Sequence, residues 1–419
     1  MSIESVSVGD GALVAAERTV RQDVKILSLI STGHFMSHFY FMALPPLFPF
    51  LREAFGVSYT ELGVLMSLIF TTAAVTQLPI GFMVDRLGAR TILTFGLVMM
   101  ACGVGLMGLA PSYWLLIGLG MLAATGNSVF HPCDYAILNS SISEQRMGRA
   151  FSAHNFSGQL GTGVAPAVMI YLAHSFGWRV ALMVAGALGL IVMLALTTQW
   201  NALHDDAVPK RKAKAMRTSA MAELRVGMRV LFSKEMAIFF LFFAMLSMTT
   251  SGMQSFSVSA LVNLHDTPLA TASAALTGYL LCSAFGVLVG GELADRTQRH
   301  DIVAAVVFVV TAIITTAIAM VDFSAAMLMI LMLVMGFGQG IIRPARDMML
   351  RRAAPKGSTG KVFAYVSAGI SGGSALAPIP FGYLLDHGRP DWVFYLLAIF
   401  MLVSLVTIAV PKKPIADAT

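Results

Sequence analysis

Charge is scarce in this chain. Of its 419 residues only 12% are Asp, Glu, Lys or Arg, while 57% are apolar. An average soluble domain carries roughly 25% charged residues, so a soluble globular fold is excluded. Cysteine is scarce as well. Cys102, Cys133 and Cys282 fall in three separate apolar stretches without paired spacing, which excludes a disulfide framework and a thiolate metal site and leaves buried thiols. There is no phosphate-binding loop GxxxxGK[ST], so ATP is not the direct energy source. HExxH does not occur, and no enzymatic activity is expected. The stretch before Val24 is polar and has no apolar core of its own, so the first apolar segment is expected to stay in the mature protein.

What the chain does have is long apolar runs. Windows of about 20 apolar residues, the length a helix needs to cross some 30 Å of hydrocarbon, recur at 24–50, 58–82, 91–109, 113–140, 149–173, 178–199, 235–262, 271–293, 302–321, 325–350, 361–384 and 392–410. They predict twelve transmembrane helices, spans 1 to 12. Pro45, Pro46 and Pro49 are expected to kink or stop the first. Basic residues favour the cytoplasmic side. With both termini inside, Arg52, Arg179 and Arg389 lie outside, Arg343 and Arg346 lie within a span, and the remaining Lys and Arg are cytoplasmic. The opposite orientation inverts the bias. The net charge of +6 thus reports topology in a plasma (inner) membrane and contact with anionic headgroups, not nucleic-acid binding. Residues 201–234, with PKRKAKAMR at their centre, read as a cytoplasmic linker between a six-helix bundle at 1–200 and another at 235–419.

The two halves repeat. An offset of 212 aligns GNSVFHPCDYAIL from Gly126 with GQGIIRPARDMML from Gly338, and continues through Gly148 with Gly360, Phe151 with Phe363, Gly161 with Gly373 and Ala165-Pro166 with Ala377-Pro378. A second echo, at 210, sets Asp85-Arg86 against Asp295-Arg296. Order and direction are kept, which is the signature of parallel halves related by an axis along the membrane normal. GFMVDRLGAR, from Gly81 to Arg90, and its degenerate copy GGELADRTQR from Gly290 resemble the loop motif of the major facilitator superfamily, and the resemblance covers nearly the whole chain. It implies an all-α membrane protein of twelve helices in two parallel, pseudo-two-fold-related bundles that alternate access to a site between them. It also implies a gating latch at Gly81, Asp85, Arg86 and Arg90. FHPCDYA resembles the FHP-containing span 4 of fosmidomycin-resistance-type exporters. GQLGTGVAP, by contrast, separates the glycine and proline that are adjacent in the drug-antiporter branch.

Spans 3, 6, 9 and 12 contain no ionisable residue in their apolar interiors. The polar groups fall elsewhere: His34 and His38 in span 1, Asn127, His131 and Asp134 in span 4, His154 and Gln159 in span 5, Gln254 in span 7, and Gln339, Arg343, Arg346 and Asp347 in span 10. An ionisable group at the bilayer centre costs about 2.5–3.5 kcal/mol even on insertion scales, so such groups face a bundle interior. Every third span is therefore expected at the periphery. Gln339, Arg343 and Asp347, at i, i+4 and i+8, form one stripe, with Arg346 about 60° to its side; the repeat copies that stripe as Asn127, His131 and Tyr135. Arg343 either binds an anion with its planar fork or pairs with Asp347 to brace a gate, for which Arg346 is a further candidate. His131 and Asp134, at i and i+3, are the candidates for proton coupling.

His34 and His38 share a face of span 1. Their spacing suits a metal clip, but no acid or thiol nearby in sequence completes one, so neither metal nor cofactor is expected. The expectation is a monomeric, proton-coupled secondary transporter of a small organic, anionic solute. Its solute-binding residues would be Arg343, His131, His38, His34, Gln339, Asn127, Gln254 and Gln159. The alternatives are a multidrug or siderophore-like efflux pump and, in another class, a non-transporting sensor or an intramembrane enzyme in which His34, His38 and His154 meet.

Overall fold

The computed structural model describes residues 20–143, 146–200, 203, 234–297, 299–353 and 359–409. The linker read at 201–234 lies outside these, apart from Leu203 and Lys234. Span 1 is the helix Val20–Phe41. It ends earlier than the apolar window suggests, because the proline cluster opens a 3-10 turn, Pro45–Leu47, and a short helix, Phe48–Phe55, whose C-cap Gly56 sits at φ 64°. Only a residue without Cβ adopts that left-handed angle without strain.

Span 2, Tyr59–Leu87, starts on a capping box in which Ser58 and Glu61 satisfy each other's backbone N–H groups. Spans 3, 5 and 6 are Ala89–Met107, Met147–Phe176 and Trp178–Thr198. In the second half, spans 7 to 10 are Lys234–His265, Leu269–Arg296, His300–Met320 and Ala325–Ala353, and span 12 is Pro390–Ala409.

Two spans are broken, each beside a proline. Span 4 divides into Tyr113–Asn127 and Phe130–Ser141, where Pro132 cannot donate to Ser128. Span 11 divides into Thr359–Leu376 and Pro378–Asp386. Pro378 leaves the carbonyl of Ser374 without its helical donor, and the Ser251 hydroxyl of span 7 takes it at 3.4 Å. A neighbouring side chain thereby satisfies backbone freed within the membrane.

Among the described residues nine helices are long and apolar enough to cross a bilayer. Spans 1, 5 and 11 fall short because they are polar or broken, and all three line the central cavity. The halves repeat in packing as in sequence. Span 1 lies on span 5 and span 3 on span 6, just as span 7 lies on span 11 and span 9 on span 12. The halves meet where span 5 crosses span 8 and span 2 crosses span 11, two contacts that the repeat exchanges. Phe95 of span 3, Ile191 of span 6, Ile313 of span 9 and Val406 of span 12 are exposed, as the absence of charge in those spans anticipates.

The span 2–span 11 contact is set by glycine. A Cβ on Gly63 would stand 2.5 Å from the carbonyl oxygen of Pro378, and one on Gly382 would run into the carbonyl of Tyr59. A Cβ on Gly118 meets nothing within 4 Å. Gly63→Val and Gly382→Val are each expected to cost about 1–3 kcal/mol by overpacking, seen as a lower thermal midpoint of the purified protein, whereas Gly118→Val leaves the midpoint unchanged.

Candidate functional site

Between the halves lie two adjoining cavities. The larger, of about 380 Å³, is lined by His38, Asn127, His131 and Gln159 of the first half and by Gln254 and Arg343 of the second. The smaller, of about 240 Å³, shares Gln254 and Arg343 and adds Gln339, Arg346 and the hydroxyls of Ser247 and Ser374. No residue of spans 3, 6, 9 or 12 lines either. Asn127 and His131 of one stripe and Arg343 of the other therefore reach one space from opposite sides, with Gln339 in the adjoining cavity, while Asp347 and Tyr135 line neither.

The side chains differ in how free they are. Arg343 lines both cavities and makes no hydrogen bond or ion pair with any described residue. The Arg343–Asp347 pair, one of the two alternatives for Arg343, does not form; Arg346 Nε instead lies 3.2 Å from Asp347, with its guanidinium 5.3 Å above the Phe243 ring. Residues 343 and 347 share a helix face, but Arg346 adjoins Asp347, and the pair sits where Asp347 is half exposed. Asn127 is less available than expected. Its amide donates to the Ser37 carbonyl at 3.1 Å and ties span 4 to span 1. Gln339 is 5% exposed and its amide rests on the sulfur of Met401.

The histidines gather. His34 is stacked on His154 with ring centroids 3.9 Å apart, edge-on to His38 at 4.6 Å and to His131 at 5.3 Å. The close packing depends on Gly158, where a Cβ would stand 2.7 Å from His34 Nε2. His38 is oriented by Thr162. That hydroxyl gives its proton to the Gly158 carbonyl and so receives a hydrogen bond from His38 Nδ1 at 3.1 Å, leaving Nε2 as the acceptor. Asp134 does not pair with His131, its neighbour at i−3. It lies 3.2 Å from His34 Nδ1 and 3.4 Å from His154 Nε2, contacts with spans 1 and 5. The acid that the sequence around His34 lacks comes from span 4, and these three residues are spaced as ligands of one metal ion would be.

The side chains of Gly81 and Asp85 lie outside the described residues. Arg86 is exposed. Arg90 donates to the Trp200 carbonyl at 3.2 Å and covers its ring. Sequence reasoning missed two groups. Asp23 is buried and receives Arg146 Nε at 2.7 Å, joining span 1 to the turn before span 5. Asp386, at the end of span 11, accepts the backbone N–H groups of Tyr59 and Thr60, both at 2.8 Å, and the Thr60 hydroxyl at 2.5 Å. A carboxylate of one half thus caps the span 2 helix of the other, where N–H groups and the helix dipole favour negative charge. Asn263 of span 7 adds a bond to the Tyr59 hydroxyl at 3.1 Å. The signal for Asp386 was the acid at the very end of its apolar run, but its partners are more than 300 positions away.

Partial burial works to raise the Asp386 pKa, and the hydrogen bonds from Thr60 and Tyr59 outweigh it, holding the carboxyl below the usual carboxylate range. A depressed carboxylate pKa contributes stability that is complete above the unfolded value and is lost as pH falls through the folded one. Asp386→Asn is expected to cost about 0.5–2 kcal/mol, the range for losing a helix cap. The difference in thermal midpoint from the parent should stay constant through neutral and mildly acid pH and vanish only at pH below the usual carboxylate range, as the lowered Asp386 pKa is passed.

Residues 30–264 and 240–418 match the family model of the Major Facilitator Superfamily. The multi-drug resistance efflux pump PmrA homolog of Lactococcus lactis subsp. lactis (strain IL1403) is 24% identical over 81% of this chain and 83% of its own length. The probable L-galactonate transporter of Escherichia coli (strain K12) is 27% identical over 34% of this chain, a similarity that spans 32% of that protein. Among solved structures, an inward-facing, unoccupied bacterial homolog of the human lysosomal transporter Spinster superposes with a TM-score of 0.77 at 14% identity, covering 93% of this chain and 97% of that one. The nucleoside transporter NupG gives 0.75 at 15% identity, over 92% and 98%. At these identities the likeness is one of fold.

Proposed function

Because this chain belongs to the major facilitator superfamily, we propose that it is a proton-coupled secondary transporter of a small organic anion, working by alternating access as a monomer in the plasma (inner) membrane. The observation that carries the reading is Arg343, a guanidinium facing both cavities with no ion pair to any described residue. A cation in a water-filled space inside a bilayer is stabilised by an anionic occupant, and a guanidinium holds a carboxylate or phosphate through two parallel hydrogen bonds. Gln254, Ser247 and Ser374 surround it with neutral hydrogen-bonding groups suited to a polar solute body. His38 and His131 face it from the other half.

The distribution of basic residues supports cytoplasmic termini. In that orientation the end carrying Tyr59 and Asp386 faces outward, and the hydrogen bonds there hold the two halves together on the outside. Opening to that side requires the Asp386 bonds to break, which makes this contact a gate. Arg346 and Asp347 belong to the opposite end of the second half and are proposed as part of the inner gate. The proton gradient is the proposed driving force, since the sequence has no phosphate-binding loop.

Proteoliposomes carrying an imposed pH gradient test the reading. An organic anion should accumulate against its gradient, and collapsing the pH difference should stop it. Arg343→Ala should weaken anion binding at least about tenfold, since a charge-assisted hydrogen bond contributes about 1.5–3 kcal/mol, with thermal stabilisation by the anion lost in parallel. Product formation without net movement would indicate an enzyme, binding without movement a sensor, and transport of neutral or cationic drugs that survives Arg343→Ala an efflux pump.

A further inference from the structure

The cluster around Asp134 is not used by the solute reading, and it presents a chemical problem of its own. His34, Asp134 and His154 are 1%, 0% and 0% exposed. His34 Nδ1, both Asp134 oxygens and both ring nitrogens of His154 have no hydrogen-bond partner among the described residues. The 3.2 and 3.4 Å approaches to Asp134 Oδ2 are close enough for hydrogen bonds but not aligned for them. Leaving a buried carboxylate and two imidazoles in this state is costly. One occupant can engage all three side chains together, through His34 Nδ1, Asp134 Oδ2 and His154 Nε2.

We propose that His34 Nδ1, Asp134 Oδ2 and His154 Nε2 form a binding site for a divalent transition-metal ion of the zinc class. A tetrahedral zinc with bonds of about 2.0–2.1 Å holds its ligand atoms roughly 3.3 Å apart. The two measured edges, 3.2 and 3.4 Å, bracket that value. The third pair, His34 with His154, lies within 4.8 Å and is the edge that adjusts as the stacked rings turn. Two imidazole nitrogens and one carboxylate oxygen suit Zn²⁺, Co²⁺ or Ni²⁺, whereas Mg²⁺ and Ca²⁺ require six or more oxygen ligands. His131, with its ring 5.3 Å from His34 and on the wall of the larger cavity, marks the route of entry and the side on which the fourth position opens.

The ligands come from spans 1, 4 and 5, all of the first half. An ion there braces that half internally without tying it to the second, and the site does not depend on which solute the cavity takes. Each ligand must be deprotonated, so binding releases protons and weakens in acid.

The test uses the full-length protein in detergent, stripped with a chelator and titrated with Co²⁺ alone. The expected result is saturation at one equivalent with the intense visible absorption of tetrahedral cobalt, displacement by Zn²⁺, no competition from Mg²⁺, and a rise in thermal midpoint with Zn²⁺. Asp134→Asn and His154→Gln should each weaken binding at least tenfold, while His387→Ala, an exposed histidine at the far end of the second half, should leave it unchanged. Unchanged affinity in Asp134→Asn would overturn the proposal, as would the weak absorption of octahedral cobalt in the parent protein. Should Asp134→Asn fail to fold, the spectrum and stoichiometry of the parent decide the matter without it.

Discussion

A polar group in hydrocarbon has no water to bond, and each one left unsatisfied costs several kcal/mol. Every other feature of this protein follows from where its few polar side chains go under that constraint. Spans 3, 6, 9 and 12 carry none of the ionisable groups in their interiors and show Phe95, Ile191, Ile313 and Val406 to the outside. The spans that carry them turn inward, and a cavity results because Arg343, Gln254, His131 and Gln159 keep hydration that aliphatic packing would exclude. Even the helix breaks obey the rule, with Ser251 supplying the donor that Pro378 removes.

The repeat uses one frame for two different chemistries. Pro132 and Pro344 occupy equivalent places, and so do His131 and Arg343. Yet span 10 runs unbroken through its proline while span 4 breaks. In span 4 the segment after the break buries Asp134 completely among histidines. In span 10 the equivalent of Asp134 is Arg346, which stays part-exposed, pairs with Asp347 and leans on Phe243. A buried acid on one side and, on the other, a guanidinium with no ion pair to any described residue give the two halves of the interior opposite charge.

The fold was legible in the sequence because its main determinants are local: length and hydropathy of each run, and the offset of 212 that aligns the halves. The site was legible only as a set of candidates. Residue spacing on a helix gives which side chains share a face, and so it placed Gln339, Arg343 and Asp347 together. It cannot give which face meets which neighbour once a proline turns the chain. His131 and Asp134 lie in one unbroken helix, Phe130–Ser141, yet Asp134 approaches His34 and His154 of other spans instead, partners at distances in sequence that no local rule reaches. Asp386 was missed similarly. Its role as a cap exists only once the halves are docked, since the N–H groups it accepts belong to Tyr59 and Thr60.

The two ends of the interface are built from different forces, and this has mechanical consequences. Where span 2 meets span 11, backbone approaches backbone across Gly63 and Gly382, and one carboxylate closes the contact with three hydrogen bonds. Water replaces each such bond when it breaks, so the net cost is modest per bond. Farther along, span 5 meets span 8 through Leu281 against Gly163 and Phe156 against Phe285. These are nondirectional contacts, and they tolerate the small rotations that the hydrogen bonds at the other contact do not. Under the proposed alternating access, a rocking motion of the halves would pivot on the apolar crossing and be held by the polar one. In that proposal Asp386 acts on access to the Arg343 cavity from a distance, since it lines neither cavity and bonds to Tyr59 and Thr60 of the other half.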